Sequence, residues 1–327
     1  MKKKSQNFQN IIITNISLKF IYIIILNLFI FFIYKNIFDI SYKNELKSNI
    51  LNIENYYKIC NNGILINKKT KEFIKNINPI ISIVSTIYDK EKYIMRFLRS
   101  IQNQQFENIE IIIIDDFSED NSVMVLENLQ KIDKRIKIIK HYKNKGTLIC
   151  RNEGILISRG KYIIIPDIDD ILSYDIMNQC LIKINQTNSD MIIFNTYLGY
   201  KNIFMHYQIK DYENKIIYQP KLSSFIFYGN GHLEIIDPII RNKFIKRTIL
   251  INALNNINNF FLSQNIIFYE DTLINFMLYK TSKSFYYLKS IGYFYISNQD
   301  STTKKYIDDI VFTNRFLYSF FFFKIYF

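Results

Sequence analysis

Between Ile80 and Pro166 aliphatic runs alternate with amphipathic segments, and only a few residues join one to the next. The runs are Ile80–Ile87 (IISIVSTI), Ile109–Ile114 (IEIIII), Arg135–Lys140 (RIKIIK) and Tyr162–Pro166. Unbroken aliphatic stretches of this length suit strands covered on both faces, whereas RIKIIK alternates like a more exposed strand. Between them Glu91–Gln102 puts Tyr93, Ile94, Phe97, Leu98 and Ile101 on one helical face. A second helix is predicted from Val123 to Ile132, with Ser118 and Asp120 as caps. A third covers Thr147–Ser158, with Gly160 at a C-cap position. Strands and helices in this order with short connections require right-handed crossovers, and so an α/β fold with a mainly parallel sheet sandwiched by helices. Past Asp190 the pattern loosens to a strand at Met191–Phe194 and a helix from Asp271 to Tyr279.

Ligands of such sheets bind outside the carboxyl ends of the strands. Here those ends carry Thr86, Tyr88 and Asp89, then Asp115 and Asp116, then Asp167, Asp169 and Asp170. A single Asp after a strand most often caps a helix or closes an Asx turn. Acidic ends on successive strands are different, because their mutual repulsion costs stability unless a cation or a hydrogen-bond donor offsets it. Mg²⁺ or Mn²⁺ meets that need with one or two carboxylates plus the oxygens of a substrate diphosphate. Alternate residues of an extended segment point the same way, so Asp167 and Asp169 would share one ligand while Ile168 faces the core. A metal-bound diphosphate implies a nucleotide; Tyr88 offers a ring to stack on its base and Asp116 an acceptor for a base N–H.

Softer metals are not indicated. Cys60, Cys150 and Cys180 are widely spaced, and His141, His206 and His232 fall at no metal-ligand spacing. The chain carries 42 Lys and Arg against 29 Asp and Glu, a net charge of +13. Beyond Lys2–Lys4 the basic residues are scattered, so they read as a solvated surface favouring anionic small substrates, with no nucleic-acid partner.

The amino-terminal segment Phe20–Tyr34 (FIYIIILNLFIFFIY) lies between Lys19 and Lys35. Its roughly fifteen residues fall short of the about twenty a spanning helix needs, and snorkelling lysines with flanking Ile and Phe make up the deficit. No small-x-small cleavage site follows, so the segment reads as an uncleaved membrane anchor with its amino terminus in the cytosol. That type II orientation puts the remainder in a Golgi or ER lumen in a eukaryotic host. In a bacterial host the domain would lie at the cytosolic membrane face. The closing FLYSFFFFKIYF is too short to span.

The stretch ISIVSTIYDKEKYI…SIQNQ…NIEIIIIDDFSEDNS…NKGTLICRNEGILISRGKYIIIPDIDDIL resembles the nucleotide-sugar half of a family 2 glycosyltransferase of the GT-A fold. Later, DPIIRNKFIKRTIL resembles the family's linker. NIIFYEDTLINFMLYKTSKSFYYLKSIGYFYISNQDSTTKK is similar to its Glu-Asp region with Tyr-x-Tyr and Ser-x-Thr elements. Hydropathy and composition set a tip and transmembrane anchor at 1–40, a stem at 41–78 and a hydrophobic tail at 306–327, and the resemblance covers what remains. Between them lies a transferase domain at 79–305, with a donor half at 79–195 and an acceptor half at 196–305. It implies that Thr86, Tyr88, Asp116 and Asp167 hold the base and ribose, with Arg151 supporting the nucleotide site. It also implies Asp169, beside Asp167, as metal ligand and Asp271, next to Glu270, as general base. The family's usual Pro and Asn near the first strand end are Thr86 and Asp89 here.

So read, the chain moves one sugar from a nucleotide-diphosphate sugar, UDP-linked by resemblance, to a glycan, lipid or protein acceptor with inversion. Processive relatives carry Gln-x-x-Arg-Trp, and this chain has no Trp. One rival is an aspartyl-nucleophile phosphatase, which wants Thr or Val where Ile171 stands and its Asp-x-Asp on the first strand. Another is a catalytically silent module of the same fold that binds a glycan or partner at the membrane.

Overall fold

A computed structural model of the chain describes residue 60 and residues 78–199, 214–218, 240–257 and 270–296. The apolar segment 20–34, the stem up to residue 77 apart from residue 60, most of 196–239 and the tail 306–327 lie outside the described residues. No helix among the described residues is long and apolar enough to cross a membrane.

The repeating part of the sequence folds as its periodicity predicts. β1 (Ile81–Ile87), α1 (Glu91–Gln102), β2 (Ile109–Asp115), α2 (Ser122–Ile132), β3 (Ile136–Lys140), α3 (Thr147–Ile157) and β4 (Tyr162–Ile164) follow one another. β1 pairs in parallel with β2 and β4, and β2 with β3. Successive residues of each strand enter opposite cores. Ile81, Ile83, Ile111 and Ile113 pack with α1 and α2, while Val84, Ile112 and Ile114 pack with α3. That two-sided burial is why these strands are unbroken aliphatic runs.

The remaining elements are β5 (Ile171–Leu172), α4 (Ile176–Thr187), β6 (Met191–Gly199), β7 (Ile216–Tyr218), β8 (Lys243–Lys246), α5 (Arg247–Asn255), α6 (Glu270–Thr281) and β9 (Ser284–Ile296). The strand order is β3-β2-β1-β4-β8-β6-β9-β5, with β7 on β9. β8 runs antiparallel to both β4 and β6, and β9 is antiparallel to β5 and β7 but parallel to β6. The sheet is therefore mixed rather than mainly parallel, because the βαβ repeat stops after β4 and later strands enter from either end.

Gly160 is not a left-handed C-cap, since Gly146 is the one glycine of positive φ among the described residues. A Cβ on Gly160 would stand 2.5 Å from the Ser82 backbone nitrogen, so close approach to β1 accounts for this glycine. The backbone N-cap of α2 is Asn121, without a side-chain cap bond. Asp120 instead accepts from Ser122 N at 2.9 Å and from Glu91 N at 3.0 Å, so one carboxylate serves the starts of two helices. The stretch from Asp167 to Asp170 is not extended: Asp170 N donates to Asp167 O at 3.2 Å and closes a turn. Ile168 still enters the core.

Candidate functional site

The carboxyl ends of β1, β2 and β4 lie side by side, and the acidic groups on them meet cations supplied by the protein. Arg151 on α3 is the hub, buried with only 5% of its side chain exposed. It donates to Asp167 Oδ1 at 2.8 Å, to Glu270 Oε1 at 3.0 Å and to Asp271 Oδ1. The fold thus draws together the Asp of the strand-end turn and the acidic pair opening α6. Burial alone would lower the Arg151 pKa, but Asp271, Asp167 and Glu270 more than offset it and hold the guanidinium charged. Glu270 is pushed up to about 8, first by burial and then by Asp271 and Asp167, because its partner Arg151 is shared three ways.

Asp167 has a second cation. Arg241 donates to Asp167 Oδ2 at 3.3 Å and lies over the rings of Tyr293 and Tyr295 at 5.5 Å and 4.7 Å. Both rings belong to the Tyr-x-Tyr element and project from alternate positions of β9. Asp170 is spent on structure: Tyr293 OH donates to it at 2.6 Å and Ile296 N at 2.8 Å, tying the turn to β9. Burial pushes its carboxyl up. Asp169 is the least encumbered acid of the turn, with Lys90 Nζ at 3.2 Å from Oδ2 and 20% of its side chain exposed.

Thr86 pairs with Ile114 near the end of β1, and Tyr88 stands exposed just beyond it. Asp116 is beside them in space, its N donating to Ile87 O at 2.9 Å, but its carboxylate is engaged by the turn at Lys145 and Gly146. Its Oδ1 accepts from Lys145 N at 2.8 Å and faces His141 Nδ1 at 2.9 Å, while Oδ2 accepts from Gly146 N at 2.8 Å. Burial would raise the Asp116 pKa, and these donors outweigh it and lower it. His141 Nε2 lies 2.6 Å from Glu153 Oε2.

Sequence spacing reveals nothing of Arg241, Lys90 or His141, because each reaches its partner through the fold. Arg241 and Asp167 are 74 residues apart, and Lys90 and Asp169 are 79 apart. The one signal available was charge: Arg241 interrupts the apolar approach to β8.

Two carboxylate groupings could be asked to hold a cation. Asp116, His141 and Cys150 bring ligand atoms within 4.8 Å of one another in space. In this structure these groups bond one another and the turn: Asp116 takes Lys145 N, Gly146 N and His141, and Cys150 Sγ lies 3.8 Å from His141 Nδ1. Asp169 fits a hard divalent ion: it offers carboxylate oxygen at the partly open rim, and among the described residues only Lys90 engages its side chain. Asp167 is balanced by two guanidinium groups in this state.

The family model described as "Glycosyl transferase family 2" matches residues 82–254, more than half of the chain. The chain belongs to glycosyl transferase family 2. Among its relatives, Glycosyltransferase GlyG of Streptococcus pneumoniae is 34% identical over 37% of this chain and 40% of its own length. Putative glycosyltransferase EpsH of Bacillus subtilis is 38% identical over 36% of this chain and 33% of its own. The chain thus spans well under half of either relative. Over a longer stretch, uncharacterized glycosyltransferase EpsJ of B. subtilis is 25% identical across 69% of this chain and 63% of its own. Among solved structures, S. aureus TarS 1-349 in complex with UDP-GlcNAc superposes with a TM-score of 0.55 at 16% identity. That superposition covers 68% of this chain and 60% of TarS 1-349, and it establishes a GT-A-type α/β fold for this family 2 member. Membership in the family removes the aspartyl-nucleophile phosphatase as a reading.

Proposed function

We propose that this chain is an inverting, non-processive glycosyltransferase that moves one sugar from a nucleoside-diphosphate sugar to an acceptor hydroxyl. The observation that carries the reading is the meeting of Asp167, Glu270 and Asp271 on Arg151. A strand-end acid suited to the donor and a helix-start acid suited to the acceptor share one buried cation, so donor and acceptor chemistry have a common centre. TarS, of similar fold, was solved with UDP-GlcNAc and with UDP, which favours a UDP-linked donor here.

Asp169 would hold Mn²⁺ or Mg²⁺ at the rim, with Asp167 nearby. When bound, such an ion supplies charge that offsets the negative charge growing on the departing diphosphate. Asp271 receives the acceptor proton as the acceptor oxygen bonds to the anomeric carbon. The bond from that carbon to the diphosphate breaks, its electron pair leaving with the diphosphate. The free capacity for the proton is on Oδ2, which accepts one long hydrogen bond among the described residues, from Ile240 N at 3.5 Å. Arg151 orients Asp271 through Oδ1 and keeps Asp167 and Glu270 beside it. The acceptor is a glycan, lipid or protein hydroxyl. The segment Phe20–Tyr34 anchors the chain in a membrane, with the catalytic domain in the Golgi or ER lumen, or at the cytosolic face in a bacterium.

The test is a donor screen scoring nucleotide release from UDP-, GDP- and dTDP-sugars with and without Mn²⁺. Release dependent on metal and acceptor supports the reading. Nucleotide binding without turnover on any donor would replace it with a silent binding module.

A further inference from the structure

Arg241 precedes β8 and stands between the turn that carries Asp167 and the helix start that carries Asp271. Its NH1 donates to Asp167 Oδ2 at 3.3 Å, and the neighbouring Ile240 N reaches Asp271 Oδ2 at 3.5 Å. Only 13% of the Arg241 side chain is exposed. The rings of Tyr293 and Tyr295 back the guanidinium, at 5.5 Å and 4.7 Å from its central carbon. Burial alone would lower its pKa, but Tyr293, Asp167, Asp170 and Asp271 more than offset that and keep it charged.

The donors of this cation are under-used. A guanidinium carries five N–H groups in a planar fork. Here Nε is buried and meets no acceptor among the described residues. The ion pair to Asp167 is long, since charge-assisted bonds of this kind usually close to about 2.7–2.9 Å. Buried N–H groups left unmet cost free energy, and a ligand that completes them recovers it. Arg151 shows the contrast, because it is buried likewise but has three carboxylates at hand. The pairing also sets a condition on the ion. Arg151 already holds Asp167 Oδ1, so Oδ2 is the oxygen that a divalent ion on Asp169 could share. Taking it displaces Arg241, and a buried guanidinium stripped of its partner is costly. An anion that arrives with the ion removes that cost. The donor's diphosphate is such an anion, and its oxygens suit a planar fork.

We propose that Arg241 is a gate for the donor: it neutralises Asp167 while no donor is bound, and passes to the donor's diphosphate when a divalent ion takes that carboxylate. The inference rests on the nucleotide-sugar reading above and adds to it a residue for the phosphates. It couples ion and nucleotide, since the arrival of each removes the cost that the other alone imposes.

The experiment compares the full chain with Arg241→Gln and Arg241→Met in two titrations. Binding of Mn²⁺ alone is followed by loss of the free ion's spin-resonance signal, and binding of UDP at saturating Mn²⁺ by calorimetry. Both variants are expected to bind Mn²⁺ alone roughly five-fold more tightly or better, because Asp167 Oδ2 is released. The same variants are expected to bind UDP with Mn²⁺ roughly ten- to hundred-fold more weakly. Movement in opposite directions is the signature, since a merely structural loss would weaken both. Met can lie on the two rings as the arginine stem does, so it decides the matter if Gln lowers the thermal midpoint. UDP affinity unchanged in the variants, or Mn²⁺ bound no more tightly, removes the gate and leaves the transferase reading standing. A parent chain that binds no UDP with Mn²⁺ removes both.

Discussion

At the start of α6, Asp271 bonds Arg151 through one oxygen and leaves the other with a single long contact, while Glu270 is bound to the same guanidinium and raised by burial. The two neighbours are therefore separable by experiment. Asp271→Asn keeps the shape and the acceptor oxygen toward Arg151 but cannot take a proton. Turnover is expected to fall by roughly 10²–10⁴-fold with nucleotide affinity retained. Near-parental turnover in that variant would reassign the base. Glu270 gives a stability signal instead. Its folded pKa of about 8 exceeds the ordinary 4.5, so the folded state holds the proton more tightly. The stability that this contributes is complete below pH 4.5 and is lost as pH rises through about 8. Glu270→Gln has no proton to lose. Across that window the parent's thermal midpoint should decline relative to the variant's, and parallel midpoint curves would show that Glu270 titrates normally.

Between β1, β2 and the end of α3 lies a second polar cluster that fixes how these elements stack. Glu110 is buried within the IEIIII strand, and it accepts from Ser82 Oγ at 2.6 Å and from Arg159 N at 2.6 Å. Gly160 N donates to Ser82 Oγ at 2.8 Å, with room for nothing larger than hydrogen on its Cα. Gly160→Ala drives a Cβ into Ser82 backbone and pulls on the Glu110 pairing, an overpacking cost of about 1–3 kcal/mol. Gly154→Ala meets the Val84 side chain at 2.4 Å, and a side chain can yield where backbone cannot. Denaturant midpoints are expected to rank Gly160→Ala below Gly154→Ala; the reverse order would remove the close-approach account. The elements themselves were legible because their apolar period is local: Glu91–Gln102 falls where its spacing puts it. The turn at Asp167–Asp170 was not, since a turn and an extended Asp-x-Asp share one composition and the choice is made by Tyr293 and Ile296 on distant β9. Arg241 was missed for the same reason: its partners are assembled by strand pairing, which periodicity does not encode.

On the scale of the whole chain, a parallel half that presents acids at its strand ends adjoins a mixed half whose β9 and α6 bring Tyr293, Glu270 and Asp271 back to them. The fold class followed from the first half, and the second half completes the site. The proposed membrane anchor belongs to this scale and can be tested. Two physical routes to a membrane surface exist and they part under salt. The charge of +13 would draw the chain to anionic lipid electrostatically, a contact screened within about 3 Å at 1 M salt. The segment Phe20–Tyr34 would hold by apolar burial, which salt does not weaken. The full chain is therefore expected to sediment with membranes through 1 M salt and alkaline carbonate and to enter solution only with detergent. A chain beginning at residue 41 should remain soluble throughout. Release of the full chain by salt alone would make the association electrostatic and remove the anchor.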